Sequence, residues 1–189
     1  MMAVLGTLGG AFGGVVLGFF LQFLYQKRRD EALLTKKRVA IESELRTNAV
    51  LIPQKKDLLL KIQSKLRKSE LLRGSSVRFP AYCYLDHIGE VSVSLTSRQR
   101  ENLVIIYETL RIIDEYMDHL HSEYMEMKQS ANVPNFRRSY IGEIGDLVDQ
   151  CSLAETLIEK YLAGEPVRIA WDQLPQVSRK ELRTSGEEK

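Results

Sequence analysis

The sequence predicts an all-α protein, with one N-terminal transmembrane helix followed by a cytoplasmic four-helix bundle. Three observations predict it. Residues 1–25 contain no charged side chain. The rest is rich in Leu, Ile, Lys, Glu and Arg with only five prolines in 189 residues, a composition that favours helix over sheet. Apolar residues then recur three and four apart over several long stretches. The chain divides into an anchor at 1–25, a helical bundle at 26–164 and a C-terminal tail at 165–189 that is partly disordered.

The anchor comes first. Residues 4–25 form a run of 22 uncharged residues. At about 1.5 Å per residue such a helix reaches roughly 33 Å, enough to span a hydrocarbon core. A cleavable signal peptide needs a basic start, a shorter apolar run and small residues at its end. This run instead ends in Phe23, Leu24 and Tyr25, and Lys27, Arg28 and Arg29 follow at once. It reads as a single-pass signal anchor in the cell (inner) membrane. The positive-inside tendency places the basic cluster, and everything after it, in the cytoplasm. Those three residues are also candidates for contact with anionic lipid head groups.

The glycines of the anchor are its most specific feature. Gly6, Gly10, Gly14 and Gly18 stand four apart, and Gly9 with Gly13 adds one more GxxxG unit. At 100° per residue all of these fall on one half of the helix. The opposite half carries Leu5, Leu8, Phe12, Val15, Val16, Phe19 and Phe23. A smooth face opposite a bulky one suits a helix that meets protein on one side and lipid on the other. The glycine face is therefore the candidate oligomer interface. Thr7 and Gln22 lie at its edge. They are candidates for lining a pore, and hydrogen bonding across a helix pair is open to them as well.

Four amphipathic stretches are expected beyond the anchor. The first covers 26–52, with Leu34, Ile41, Leu45 and Ile52 on one side and Arg38 and Asn48 interrupting them. Pro53 should kink or end it, because proline removes a donor and crowds the preceding turn. The second covers 54–72, with Leu59, Ile62, Leu66 and Leu72 inward, and Gly74 stops it. Residues 90–95 alternate like a strand but have no partner strand, so they read as an extended connector. The third begins at the capping-box pair Thr96 and Gln99. Its seam runs Leu103, Ile106, Leu110, Ile113, Met117, Leu120, Tyr124 and Met127. After a connector at 130–135, the fourth covers 136–162 with Ile144, Val148, Cys151, Ile158 and Leu162 inward, ending at Gly164 and Pro166. Four such helices make a bundle. In the tail, Val167, Ile169 and Trp171 are the residues able to dock.

Charge is unevenly spread over the two halves. Residues 26–78 hold 15 basic and 6 acidic side chains, whereas 79–189 hold 12 and 19. The basic half is the one next to the membrane. It has no interleaved aromatics and no nucleic-acid module, so nucleic acid is not an expected partner. The expected partners are the lipid bilayer, further copies of the chain and a cytoplasmic protein.

No catalytic signature is present. The chain has no phosphate loop, HExxH or Gly-x-Ser-x-Gly elbow, and its two cysteines, Cys83 and Cys151, read as buried reduced thiols. His119 and His121 stand on opposite sides of a helix, which prevents them from sharing a metal. Arg111 and His119, like Arg78 and His87, are too far apart for the motif of the HEPN ribonucleases, which are also small helical bundles. We therefore expect no enzyme activity, no catalytic residue, no cofactor and no metal site.

The Gly6–Gly18 anchor, the 41–48 stretch IESELRTN and the Leu103–Leu120 seam together resemble a set of small bacterial proteins. These pair one N-terminal membrane helix with a cytoplasmic helical bundle and occur in anti-phage loci. The pore-forming membrane partner of type VI-B CRISPR systems is among them. The resemblance implies a membrane-permeabilising effector that works as an oligomeric pore in bacterial antiviral defence. The alternative from the residues themselves is a non-enzymatic adaptor that tethers a cytoplasmic partner to the membrane.

Overall fold

The structure, a computed structural model, describes residues 2–68, 70, 76–129 and 133–165. The side chains of 2–16, 123, 124 and 126–139 lie outside that description. So do Leu72 and Gly74, expected at the end of the second stretch, and the tail with Pro166, Val167, Ile169 and Trp171. The described residues are helical, without strands: α1 is Met2–Arg67, α2 Tyr82–Val91, α3 Ser97–Gln129 and α4 Val133–Leu162. A short 3-10 turn, Ser92–Ser94, follows α2. The expected strand-like connector is thus the end of α2 and this turn. Ser92 Oγ donates to the Gly89 carbonyl at 2.8 Å and Ser94 Oγ to that of Val91 at 2.7 Å, so local hydrogen bonds hold the coil tight.

The two helices expected on either side of Pro53 are one helix. Pro53 lies inside α1, on its exposed face. Breaking the backbone ladder there costs about 3 kcal/mol. Continuing the helix buries Ile52, Leu59, Ile62 and Leu66, each worth roughly 1.5–3 kcal/mol, so packing outweighs the proline. Read without the break, the buried face of α1 runs Ile41, Leu45, Asn48, Ile52, Lys55, Leu59, Ile62 and Leu66, alternating four and three apart. Asn48 belongs to this seam instead of interrupting it, and Lys55 shares its burial.

The core lies between α1, α3 and α4, with α4 packed on both of the others. In α3 the expected seam residues Leu103, Ile106, Leu110, Ile113 and Leu120 are buried, and Met117 is partly buried against them. Tyr124 and Met127 fall outside the described side chains. In α4, Ile144, Cys151 and Ile158 are buried as expected, Val148 and Leu162 pack more shallowly, and Leu147 and Ala154 join the core. Helix α4 starts at Val133, before the expected 136. Pro134 is tolerated there because the first turn has no intrahelical donors to lose.

Cross-contacts fix the directions. Glu44 meets Tyr107 and Lys55 meets Asp114, so α1 and α3 run parallel. Gln63 bonds the Ile141 carbonyl while Lys56 pairs with Glu155, so α4 runs back along α1. Helix α2 descends α1 from Glu44 to Lys37. The connectivity is that of an up-down bundle whose fourth corner is filled by residues 76–81 and the ten-residue α2 in place of a long helix.

Candidate functional site: an uncovered helix end and a polar latch

Two regions of the molecule depart from an ordinary bundle. The first is the N-terminal end of α1. Residues 17–33 are exposed throughout, and no other described element covers them. Phe19, Phe20, Leu21, Phe23 and Tyr25 are all more than half exposed, an apolar surface that water alone does not stabilise. Lys27, Arg28 and Arg29 follow, also exposed. Gln22 and Gly18 are exposed, and a Cβ built on Gly18 meets nothing within 4 Å. The side chains of Gly6, Thr7, Gly9, Gly10, Gly13 and Gly14 lie outside the described residues. Among the described residues, no stretch of helix is long and apolar enough to cross a membrane.

The second region is the fourth corner. A non-helical stretch inside a bundle leaves backbone donors and acceptors that the neighbouring helices must satisfy. Asn48, fully buried in α1, donates from Nδ2 to the Pro80 carbonyl at 3.0 Å, while its Oδ1 has no hydrogen-bond partner among the described residues. The buried Glu44 carboxylate accepts from the Cys83 amide at 2.8 Å, the Tyr84 amide at 3.1 Å and the Tyr107 hydroxyl at 2.8 Å. Ala81 offers α2 no side-chain cap, so Glu44 caps it from another helix. Anionic charge at a helix N-terminus is favourable, which is how this carboxylate tolerates burial. Tyr107 also stacks on Tyr84, with centroids 3.9 Å apart and rings 10° from parallel.

Lys55 pins the other end of the stretch. Its Nζ lies 2.7 Å from Asp114 Oδ1 and 2.7 Å from Ser76 Oγ, and 4.3 Å from the centre of the Phe79 ring. Asp114 Oδ2 in turn accepts the Phe79 amide at 2.8 Å. At the surface Arg78 pairs with Asp118. Glu44, Asn48 and Lys55 of α1 thus hold the chain from 76 to 84 against α3.

The chemistry of this cluster is that of a latch. Burial, then the hydrogen bond from its hydroxyl to Glu44, pushes the Tyr107 phenol far above its ordinary range. Cys83, expected to be buried, is only partly so; burial, then the nearby Glu44 charge, raises its thiol above the ordinary range. Burial raises the Cys151 thiol to about 11. Among the described residues no group of three His, Cys, Asp or Glu side chains could hold a metal ion.

The sequence alone singles out neither Glu44 nor Lys55 as a tertiary contact, and Asn48 reads there as an interruption of the apolar stripe. The signal for Asn48 and Lys55 was present in their three-four spacing, which interleaves them with Leu45, Ile52 and Leu59. No family model matches the chain, and neither does any curated protein or solved structure.

Proposed function

We propose that the protein is a membrane-anchored, self-associating, non-enzymatic effector whose N-terminal helix spans the cell membrane and whose bundle stands on its cytoplasmic side. One observation carries the reading: the exposed aromatic and aliphatic run from Leu17 to Tyr25 continues the expected 22-residue anchor run that begins at Val4, and a basic cluster ends it. A bilayer covers the bulky face, and glycine faces of neighbouring copies cover one another. Lys27, Arg28 and Arg29 then sit at the anionic head groups. The stretch of α1 from 26 to 37 would hold the bundle about 18 Å from the interface at 1.5 Å per residue.

In this reading the oligomer perturbs or perforates the membrane, with Thr7 and Gln22 at the edge of the glycine face. Dye release from liposomes tests it. The full chain should release dye, and Gly10→Leu with Gly14→Leu should abolish release and shrink the oligomer in detergent. Membrane insertion without any release would favour the adaptor, in which α1 is only a tether and the bundle receives a cytoplasmic protein.

A further inference from the structure

The end of the bundle nearest Arg38 contains a cleft of about 420 Å³ that the latch and the membrane helix leave unused. Its walls come from α1, the first turns of α3 and the last turn of α4. From α1, Arg38 and Glu42 enter it, joined by a 3.0 Å ion pair. From α3 come Asn102 and Arg98, the latter with no ion pair among the described residues. Asn102 is only 6% exposed, yet its amide has no hydrogen-bond partner among the described residues. From α4 come Tyr161 and Glu165.

The ends of the two helices give this cleft a direction. The capping box at the start of α3 uses the Gln99 amide, which Thr96 Oγ1 accepts at 3.2 Å. The Ser97 and Arg98 amides remain without partners among the described residues, so this wall is the positive end of a 33-residue helix. Another part of the lining is the negative end of α4. That helix closes on Gly164, whose φ of 72° permits the Gly164 and Glu165 amides to fold back on the Tyr161 and Lys160 carbonyls. Arg98 belongs to the α3 end and Glu165 follows the α4 end. The ionised side chains of the lining, Arg38, Arg98, Glu42 and Glu165, sum to zero.

A neutral cleft lined by the start of one helix and the end of another offers partners to both an anion and a cation. We infer that it binds a small zwitterion carrying an acidic oxyanion and a primary ammonium a few ångströms apart. The oxyanion lies on Arg98 and the α3 amides, the ammonium on Glu165 and the α4 carbonyls. Asn102, able to donate and accept, bridges them. A soluble metabolite and the phosphoethanolamine head of a lipid share this chemistry. The inference stands apart from the proposed membrane activity, because the cleft is formed wholly within the bundle.

The test is calorimetric titration of the full chain in an uncharged detergent with glycerophosphoethanolamine, and separately with inorganic phosphate and with ethanolamine. The zwitterion should bind at least about tenfold more tightly than either half, since each half leaves one pole unpaired. Arg98→Gln, an exposed position where folding is not at stake, should weaken it by about tenfold or more, as should Asn102→Leu. Micelles doped with phosphatidylethanolamine distinguish the sources: competition with the soluble probe supports a lipid head group, and absence of competition supports a free metabolite. Inorganic phosphate binding as tightly as the zwitterion, or Arg98→Gln binding it unchanged, overturns the inference.

Discussion

Lys55 of α1 and Asp114 of α3 meet at 2.7 Å with side chains only 4% and 12% exposed, and between them they hold a segment that belongs to neither helix. The ammonium also bonds Ser76, and the carboxylate also accepts the Phe79 amide. The pair therefore fastens the non-helical chain into the groove between two parallel helices. Removing one partner leaves the other charged and buried.

Asp114→Ala should cost about 3–5 kcal/mol, since it strands the Lys55 charge and orphans the Phe79 amide. Lys55→Met with Asp114→Leu should be milder than the sum of the singles. Urea titrations of the four proteins, followed by circular dichroism, give the coupling energy, and additivity would show that the pair is not a unit.

Glu44→Gln removes charge from the α2 N-terminus while keeping the side-chain shape. Caps of this kind are worth about 1 kcal/mol. Amide exchange at Cys83 and Tyr84 should accelerate. The Glu44 charge helps to raise the Cys83 thiol, so its loss lowers that pKa and increases the thiolate fraction at a given pH. Maleimide labelling in a Cys151→Ser background should accordingly be slow near neutral pH, rise with pH, and be faster in Glu44→Gln. Equal rates would place Cys83 outside the influence of Glu44.

Leu110 is buried in the α3 seam, whereas Glu108 makes an exposed pair with Arg111. Leu110→Ala should cost about 2–5 kcal/mol, and Glu108→Ala less than about 1 kcal/mol. Similar melting of the two variants would deny the seam its place in the core.

Pro53→Ala restores a backbone donor in the middle of α1 on its exposed face. It should stabilise the bundle by up to about 3 kcal/mol. A lower melting temperature would mean that α1 depends on proline at this position.

Gly18→Leu isolates association from folding, because a Cβ there meets nothing within 4 Å in the single chain. If copies associate through the glycine face as proposed, the bundle should melt as before while the oligomer in detergent becomes smaller. Unchanged size would put Gly18 outside the interface.

By itself the sequence determined the helical class, the α3 seam from Leu103 to Leu120 with its capping box, the burial of Ile144, Cys151 and Ile158, and the end of α4 at Gly164. Each depends on chemistry within a turn or two, where spacing and caps are readable along the chain. The Thr96–Gln99 box closes as its residue types require, with the Thr96 amide 3.0 Å from Gln99 Oε1. Tertiary structure alone decided that α1 runs through Pro53, because the compensating burial comes from α3 and α4. It also decided that residues 76–81 are fastened by Glu44, Asn48, Lys55 and Asp114. Pro80 lies 32 residues from Asn48 and Asp114 lies 59 from Lys55. A polar residue in an apolar stripe looks like a fault until the backbone group it satisfies is brought beside it, and only folding does that.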